Sequence, residues 1–544
     1  MENTDLIILW GSNAREAHPV MFHHMMKSVR NRGARLVVVD PRRISGIEFA
    51  SLHLPVQVGG DVALANAVGQ VILEEGLENK EFIARATEGI EAYRAAVEKY
   101  RPEDVEQMTG VPAAKVRELA RMYAKADRAI LCWTLGITEH HNAVQNVHAL
   151  INLALLTGKV GRYGSGLAPL RGQNNVQGGG DMGALPNRLP GFQDLTDPQN
   201  RKRCEDVWGL PVPEKVGKHQ TAMFQAMADG EIRALYIIGE NPVQSEANLH
   251  HVRGLFENLD FLVVQDIFLT PTGEMADVVL PASASFAEAE GTVTNSERRI
   301  QRLRPALSPP GEARDDLWIV EELAIRMGTP GWTHRKAEEV WDELRRVSPI
   351  HAGMSYKRLE ELGGIQWPCP SEDHPGSPFL HGRLWENPIS GRRAPFVAAE
   401  HEPPAEQVDA EYPFMLTTGR RLAAYNTGVQ SRHYAAPHGH REVLEMCEED
   451  MDRLGLHEGD LCRLSSRRGK VEVQVSRSRK VRPGLLFMSL NHPDEVPTNL
   501  LTLDATDPVA GTAEFKATAV RVERVATPRG ADTHLVEEAA QQNA

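Results

Sequence analysis

The sequence contains few cysteines, and none is paired with a close neighbour. The five cysteines are spread through 544 residues without a C-x-x-C motif: Cys132, Cys204, Cys369, Cys447 and Cys462. Cysteine-ligated zinc and iron–sulfur centres need clustered thiolates, so we expect no such centre within this chain. Isolated thiols are typical of a reducing compartment, and we predict a cytoplasmic protein whose cysteines are small buried hydrophobes.

The sequence also lacks long apolar runs and an excess of basic residues. No stretch approaches the roughly 18 apolar residues of a membrane-spanning helix, so we expect no membrane span. The net charge of −14 argues against nucleic acid as a partner of the whole chain. A hydrophobic content of 41% and a charged content of 25% are typical of a globular protein. The length favours about three to four domains.

Two segments repeat one pattern of strand, glycine turn, helix, strand and acid. In the first copy, the apolar run Asp5–Trp10 leads to Gly11. A helix-like segment then ends at Gly33, and the run Arg35–Val39 is followed by Asp40. Continuous apolar strands joined by a helix predict a parallel pair that is covered on both faces.

The second copy begins with Ala234–Ile238 and Gly239, and its next strand, Phe261–Val264, is closely followed by Asp266. The spacing from glycine to aspartate is 29 residues in the first copy and 27 in the second. Such a turn presents backbone N–H groups to a phosphate, while the acid faces a sugar or base. Neither copy has the G-x-G-x-x-G motif, so each alone is also consistent with a purely structural turn. Together they predict two dinucleotide-like groups.

A glycine-rich loop, Leu167–Pro186, separates the two copies. It contains five glycines and a single cation, Arg171, followed closely by four side-chain amides. Glycine lets the backbone approach a ligand closely, and a guanidinium with amides suits an anion or a polar heterocycle. We therefore interpret this stretch as a ligand-contacting loop rather than a linker.

The sequence predicts an α/β protein with two related parallel-sheet dinucleotide-binding domains and a C-terminal β-barrel of the double-psi type. From Tyr412 onward, short strands alternate with turn residues over about 115 residues, a spacing typical of a small barrel. The Pro- and Gly-rich stretch 368–413 is interpreted as a connector. The predicted domains are residues 1–172, residues 173–405 with the loop 167–186, residues 406–526, and a tail at 527–544.

Eight motifs follow one another along residues 1–526: GSNAREAHP, VVVDPRR, LRGQNNVQGGGDMGALPN, GENP, VVQDIFLT, ADVVLPAS, NSERRIQR and LTTGRRLAAYNTG. Together, and in the same order, they resemble the motifs of the molybdopterin oxidoreductases. Within that family, the loop around Arg171 resembles the catalytic α subunit of formate dehydrogenases. The resemblance implies a molybdenum or tungsten ion held by two molybdopterin guanine dinucleotides, which agrees with the duplicated pattern.

The resemblance also implies the residues of the cofactor site. One dinucleotide would be held by Gly11, Asn13, Asp40 and Arg42, and the other by Gly239, Asn241, Asp266, Ser283 and Asp316. Thr418, Gly419 and Arg420 of the barrel, with Asn499 and Lys516, would close both sites. Ser12, Gly136 and Gln265 are further cofactor-binding candidates, and Gln173 matches a pterin contact. Arg171 matches the arginine that binds formate, and it is the one catalytic residue that we predict.

Members of that family carry an iron–sulfur segment and a cysteine or selenocysteine metal ligand upstream of the first strand found here. We therefore expect no metal ligand within this chain, and a [4Fe–4S] cluster only in an upstream region or in partner subunits. We further expect this chain to be the downstream piece of a longer or split gene, and to be inactive alone. The alternatives are a nitrate-type molybdopterin reductase, a non-catalytic cofactor-binding fragment and, less favoured, an NAD dehydrogenase.

Individual histidines have competing interpretations. His18 and the pair His140 and His141 invite assignment as metal ligands. Their positions next to predicted helix ends favour capping or helix-terminal roles instead.

Overall fold

A computed structural model of the chain describes residues 1–422, 426–427 and 441–525. The strands, numbered in chain order, are β1 (Leu6–Trp10), β2 (Arg35–Val39), β3 (Leu52–Leu54), β4 (Thr87–Glu88), β5 (Ala129–Trp133), β6 (Gly166–Pro169), β7 (Arg188–Leu189), β8 (Gln193–Asp194), β9 (Ala234–Ile238), β10 (Phe261–Asp266), β11 (Val278–Pro281), β12 (Gly291–Thr294), β13 (Arg299–Leu303), β14 (Ile365–Gln366), β15 (Ala394–Pro395), β16 (Phe414–Gly419), β17 (Val443–Met446), β18 (Leu461–Ser465), β19 (Lys470–Arg477), β20 (Leu485–Ser489) and β21 (Thr518–Arg524). The predicted tail, 527–544, lies outside the described residues.

The α-helices are α1 (Ala14–Ala17), α2 (Pro19–Arg32), α3 (Asp61–Glu74), α4 (Lys80–Ala86), α5 (Ile90–Val97), α6 (Pro102–Thr109), α7 (Ala113–Lys125), α8 (Leu135–Thr138), α9 (Ala143–Thr157), α10 (Val176–Asp181), α11 (Pro198–Trp208), α12 (Gln220–Ala228), α13 (Pro242–Ser245), α14 (Leu249–Glu257), α15 (Pro271–Glu274), α16 (Ser285–Glu288), α17 (Asp316–Arg326), α18 (Ala337–Val347), α19 (Tyr356–Glu361) and α20 (Glu448–Leu454). In the part of the chain that the structure describes, none of them combines the length and the apolar character needed to cross a membrane.

The first sheet has the strand order β3-β2-β1-β5-β6, and all of its neighbouring pairs are parallel. The predicted βαβ unit is confirmed, and α2 ends at Gly33 in the left-handed conformation, with a φ of 71°. Every residue of β1 is buried, because a separate cluster of apolar side chains covers each face of the sheet. Strand order reverses between β1 and β5, and open α/β sheets bind ligands beyond the carboxyl ends of the strands at such a point.

The second sheet has the order β11-β10-β9, and its strands are also parallel. Strands β9, β10 and β11 thus repeat the arrangement of β1, β2 and β3, as the duplicated pattern predicts. One face of this sheet packs against α12 and α14 through Met227, Val252 and Phe256. The other face exposes apolar side chains within the described residues. Continuous apolar strands predict a sheet that is covered on both faces, so the second sheet differs from this prediction.

The C-terminal strands close into a barrel with the order β16-β20-β17-β19-β18-β21. Its pairs are partly parallel and partly antiparallel. In β19 every second side chain from Val471 to Val475 is buried, because one side of the strand faces the barrel interior. The predicted barrel is confirmed.

Part of the chain between these units differs from the sequence interpretation. Helices α11 and α12 and the antiparallel sheet β12-β13-β14 lie where no regular structure was predicted. The stretch 368–413 is also more than a connector. Its strand β15 pairs with β4, and Leu384, Phe396 and Ala399 are buried in the core of the first sheet. Three widely spaced apolar side chains leave no periodic pattern, so this packing could not be predicted from the sequence.

Candidate cofactor and substrate site

The turns that follow β1 and β5 pack directly against each other. Gly11 has a φ of 58°, and a Cβ added there would lie 2.8 Å from the carbonyl carbon of Gly136. A Cβ added at Gly136 would lie 2.6 Å from the carbonyl oxygen of Gly11. The hydroxyl of Thr134 donates a hydrogen bond to that same oxygen at 2.7 Å. Only glycine permits this approach, so both predicted residues shape the edge where the strand order reverses.

Buried polar groups surround the first turn. Ser12 Oγ and Asn13 Oδ1 have no hydrogen-bond partner within the described residues. Asp40 follows β2 and accepts a hydrogen bond from the backbone N–H of Arg42 at 2.9 Å. Burial raises the pKa of Asp40 to about 6, although the charges of Arg42 and Lys516 favour its ionised form. The first turn therefore combines unsatisfied polar atoms with a buried carboxyl group whose pKa is raised.

The second turn repeats this backbone geometry. Gly239 has a φ of 66°, and its N–H donates to the carbonyl of Gln265 at 2.9 Å. In the first turn, the N–H of Gly11 donates to the carbonyl of Val39 at 2.8 Å. Each acceptor immediately precedes the aspartate of its copy. A Cβ added at Gly239 would meet no atom within 4 Å, so this turn borders open space.

Predicted cofactor residues of the second copy gather around Gly239. Gln265 Nε2 donates to Asp316 Oδ1 at 2.5 Å, at the start of α17. Burial, reinforced by the charge of Asp316, raises the pKa of Asp266. Ser283 is buried, and its hydroxyl has no partner within the described residues. Asn241 differs from its counterpart Asn13, because its Oδ1 accepts hydrogen bonds from the N–H and hydroxyl of Thr272.

Arg42 connects the first copy to the barrel. Its Nη2 lies 2.9 Å from Oε2 of Glu445 on β17, and both side chains are largely buried. The guanidinium carbon lies 3.2 Å from the centre of the Phe487 ring. Burial disfavours the charged carboxylate, but Arg42 and Arg421 hold the pKa of Glu445 below its usual value. In this structure Arg42 therefore fixes the barrel against the end of β2.

Two other predicted barrel residues also reach across to the α/β halves. Lys516 Nζ lies 2.6 Å from Glu139 Oε2 in the segment after β5. Asn499 Nδ2 donates to the carbonyl of Ser245, the last residue of α13, at 2.7 Å. The barrel thus contacts the first copy and the second copy through different side chains.

The end of β16 carries the remaining predicted residues. Thr418 Oγ1 donates to the carbonyl of Phe515 at 2.8 Å. A Cβ added at Gly419 would lie 2.9 Å from the Phe487 ring. Arg420 donates from Nη1 to the carbonyl of Ala17, the last residue of α1, at 3.5 Å. The contact of Arg420 with Ala17 brings the end of this barrel strand beside the segment that follows the first turn.

The glycine-rich loop is more ordered than the sequence interpretation implied, since β6 includes its first residues and α10 lies within it. Arg171 follows β6 and is exposed, as is Gln173. Arg171 Nε donates to Gln177 Oε1 at 2.9 Å, and Gln177 Nε2 donates to Asp181 Oδ1 at 2.7 Å. Burial raises the pKa of Asp181. Arg171 therefore lies at the edge of the first sheet where the strands end, as does the first turn. Its side chain is held by the amide of Gln177, which is in turn held by Asp181.

His18 is a site residue whose role the sequence pattern did not reveal. It lies at the junction of α1 and α2, as predicted for a helix-terminal histidine, and its Nε2 lies 2.6 Å from the carbonyl oxygen of Arg171. A carbonyl only accepts, so Nε2 carries the proton and Nδ1 is the free acceptor. Burial lowers the pKa of His18, and the nearby Arg420 acts in the same direction. His18 is thus a neutral donor to the loop backbone.

His140 and His141 have a different function from His18. Their Nδ1 atoms lie 3.2 Å and 3.0 Å from Oε1 of the buried Glu514. They connect the segment before α9 to the barrel. Within the described residues, no cluster of three or more potential metal-ligating side chains is found. All five cysteines are buried and unpaired, as predicted.

Buried polar atoms without a hydrogen-bond partner lie at the two turns, where they fit a large polar ligand. Ser12 Oγ, Asn13 Oδ1, His18 Nδ1 and Ser283 Oγ are buried and have no partner among the residues that the structure describes. Buried polar atoms in folded proteins are nearly always hydrogen-bonded, so these atoms indicate an additional group. A dinucleotide supplies N–H, hydroxyl and phosphate groups for such contacts, and the residues present fit one at each turn.

Two parallel-sheet halves with equivalent glycine turns, both contacted by one barrel, define a class of proteins that bind a nucleotide-bearing cofactor. The chain belongs to the molybdopterin oxidoreductase family, and it is an oxidoreductase of that kind. The family model "Molybdopterin oxidoreductase" matches residues 1–326, and the model "Molydopterin dinucleotide binding domain" matches residues 414–519.

Curated relatives include formate dehydrogenases. The F420-dependent formate dehydrogenase 2 subunit alpha of Methanococcus maripaludis is 40% identical over 96% of this chain and 77% of its own length. Formate dehydrogenase H of Escherichia coli is 38% identical over 99% of this chain and 75% of its own. The solved structure of acetylene hydratase from Pelobacter acetylenicus has the same fold, with a TM-score of 0.69 at 20% identity, over 96% of this chain and 78% of that one.

Proposed function

We propose that this chain is a formate dehydrogenase α-type polypeptide, which oxidises formate to CO2 with release of one proton and two electrons. The observation that carries the proposal is the position of Arg171. Its side chain is exposed at the edge of the first sheet where the strands end, beside the first turn. His18 holds its backbone carbonyl, and Gln177 holds its Nε. The two relatives at about 40% identity, which are named as formate dehydrogenases, support the same substrate.

Arg171 is suited to hold a carboxylate. Its Nε is engaged by Gln177, while Nη1 and Nη2 form no hydrogen bond within the described residues. Two parallel N–H groups of one guanidinium match the two oxygens of formate, which a lysine ammonium cannot do. Holding both oxygens fixes the direction of the C–H bond, so the role of Arg171 is binding and orientation.

We further propose that the two turns each hold one molybdopterin guanine dinucleotide. Gly11, Ser12, Asn13, Asp40, Arg42 and Gly136 would contact one, and Gly239, Asn241, Gln265, Asp266, Ser283 and Asp316 the other. Gln173, Thr418, Gly419, Arg420, Asn499 and Lys516 would contact the pterins or close the two sites. When bound, the cofactor with its molybdenum or tungsten ion supplies the two-electron acceptor. The chain supplies binding and orientation.

The proposal includes partners and location. Electron-transfer subunits or an iron–sulfur segment would take the electrons onward, and the cytoplasmic location rests on the dispersed thiols. The domain boundaries at 172, 405 and 526 also remain predictions. A reductase acting on nitrate is the alternative enzyme, and a substrate panel with formate and nitrate separates the two.

Replacing Arg171 by lysine in the enzyme complex isolated from the source organism tests the substrate assignment. Loss of one charge-assisted hydrogen bond, about 1.5–3 kcal/mol, should lower kcat/KM for formate roughly 10- to 150-fold in a dye-reduction assay. Arg121→Lys is the matched control, because the guanidinium of Arg121, on α7, pairs with the carboxylate of Glu75 and neither residue belongs to the candidate site. Equal kinetics for both variants would refute the role of Arg171.

Cofactor content is a separate test of the two turns. Acid hydrolysis of the holoprotein should release about two GMP per metal ion, one from each half. Folded protein from a cofactor-producing host that contains no GMP would contradict the duplicated site, whatever the substrate.

A further inference from the structure

The guanidinium of Arg171 has two edges that can each hold a carboxylate through a pair of parallel N–H groups. The Nη edge consists of Nη1 and Nη2, and the Nε edge consists of Nε and the Nη atom on the same side. Because the guanidinium is planar, the two edges face directions that differ by about a third of a turn. A carboxylate that moves from one edge to the other therefore turns the bond on its far side by the same angle.

Gln177 occupies the Nε edge. Its Oε1 accepts a hydrogen bond from Arg171 Nε at 2.9 Å. In the part of the chain that the structure describes, no protein group forms a hydrogen bond with Nη1 or Nη2 of this arginine. The Nη edge is thus available to a ligand, whereas the Nε edge is covered.

The direction of the Gln177 amide is determined by the groups at its two ends. Arginine only donates hydrogen bonds, so the amide atom that faces Nε is the oxygen. The amide nitrogen then lies at the opposite end and needs an acceptor. Asp181 supplies it, because its Oδ1 lies 2.7 Å from Gln177 Nε2. The carboxyl group therefore holds the amide in the orientation that covers the Nε edge.

Helix α10, which carries both side chains, is itself fixed at its two ends. Gln177 and Asp181 lie four residues apart on it, a spacing at which helical side chains are neighbours. Asp181 is 1% exposed, and its backbone carbonyl accepts from the N–H of Gly191 at 2.7 Å. At the other end, Asn175 Oδ1 accepts from the N–H of Thr294 on β12 at 2.9 Å. The acceptor for Gln177 is thus a buried group in a defined position.

We propose that Gln177 and Asp181 are positioning residues, which cover the Nε edge of Arg171 so that formate binds only at the Nη edge. Because Arg171 binds formate in the proposed function, this assignment rests on that function. Formate consists of one carboxylate and one hydrogen, so nothing in the substrate itself selects an edge. At the wrong edge its C–H bond points about a third of a turn away from the productive direction, and orientation of the reacting bond is a main source of catalysis.

Gln177→Leu tests the proposal in the enzyme complex isolated from the source organism. Loss of the amide opens the Nε edge, and formate that binds there is not oxidised. A non-productive binding mode lowers kcat and KM by the same factor and leaves kcat/KM unchanged. With two equivalent edges we expect both constants to fall about twofold in a dye-reduction assay. A rise in KM, or a variant with both constants unchanged, would overturn the proposal.

Substitutions at Asp181 separate orientation of the amide from folding of the loop. Asp181→Asn retains an oxygen that accepts from Gln177 Nε2, so its kcat and KM should match the wild type. Asp181→Leu has a similar size but no acceptor, and should show the same joint fall in kcat and KM as Gln177→Leu. Gln107→Leu, on the exposed side of α6, is the matched control and should leave both constants unchanged. Equal kinetics for the two Asp181 variants would contradict the role of the carboxyl oxygen.

Comparison with the Arg171→Lys variant separates this assignment from the proposed function. If Arg171→Lys leaves kcat/KM for formate unchanged, the substrate assignment itself fails. If Arg171→Lys lowers kcat/KM while Gln177→Leu does not lower kcat and KM together, formate binding by Arg171 stands and only the positioning role of Gln177 and Asp181 is refuted.

Discussion

The ring of His18 and the backbone carbonyl of Arg171 lie 2.6 Å apart, although 153 residues separate them in the chain. This hydrogen bond connects the junction after the first glycine turn to the loop that presents the guanidinium. The position of Arg171 is therefore set from two sides, by His18 at its backbone and by Gln177 at its side chain.

Removal of the His18 donor should loosen Arg171. His18→Leu should raise KM for formate about fivefold, because one neutral hydrogen bond contributes about 1 kcal/mol. His18→Gln retains an N–H donor of similar reach and should stay close to the wild type. Steady-state kinetics of the complex check this, and two variants with the same KM would show that the hydrogen bond does not position the loop.

Asp40 should make the stability of the cofactor-free chain depend on pH. Its pKa rises from 3.8 to about 6 on folding, so the native state binds more protons between these values. The contribution of Asp40 to the free energy of unfolding is fully present at low pH. It is lost as pH rises through about 6, by roughly 3 kcal/mol in total.

Asp40→Asn retains an acceptor for the Arg42 N–H and removes the titration. The variant should melt higher than the wild type at pH 7.5 and no higher at pH 4 in thermal unfolding of the cofactor-free chain. A constant difference between the two proteins at both pH values would refute the assignment.

Gly11→Ala and Gly239→Ala form a matched pair. Both positions have a positive φ, so alanine should cost about 1–2 kcal/mol at each. At Gly11 the new methyl group also meets the backbone of Gly136, which should add about 1–3 kcal/mol. Denaturant unfolding of the cofactor-free variants gives the comparison, and equal losses would mean that the Gly11–Gly136 contact can relax.

The buried pair of Arg42 and Glu445 should be costly to break. Glu445→Gln leaves a largely buried guanidinium without its counter-ion, and a loss of about 3–5 kcal/mol is expected. Glu472→Gln, which breaks the exposed pair with Arg463, should cost less than about 1 kcal/mol. Thermal unfolding of both variants measures the difference, and a Glu445→Gln protein as stable as the Glu472→Gln control would contradict it.

The local geometry of the site was predictable from the sequence, because short-range rules determine it. Glycine after an apolar run predicted the turns at Gly11 and Gly239, and Gly33 predicted the end of α2. The contacts of Arg42 with Glu445 and of Asn499 with Ser245 were not predictable from spacing, since 403 and 254 residues separate the partners. Only the packing of the barrel on the two halves brings them together.

The burial of individual strands was the other feature that could not be predicted from the sequence. The run Ala234–Ile238 is as apolar as the run that ends at Trp10, and both form parallel strands. Whether such a strand is covered depends on elements that lie far away in the chain. For β1 these are β5 and its helices, and within the described residues β9 has no equivalent.

The barrel contacts have a consequence for the order of synthesis. Glu445, Asn499 and Lys516, which connect the barrel to the two halves, all belong to the last quarter of the chain. Domains generally fold as they leave the ribosome, N-terminal parts first. Both glycine turns can therefore form while the barrel is still being translated. A cofactor that binds at both turns, as proposed above, would therefore have free access to them until the barrel docks.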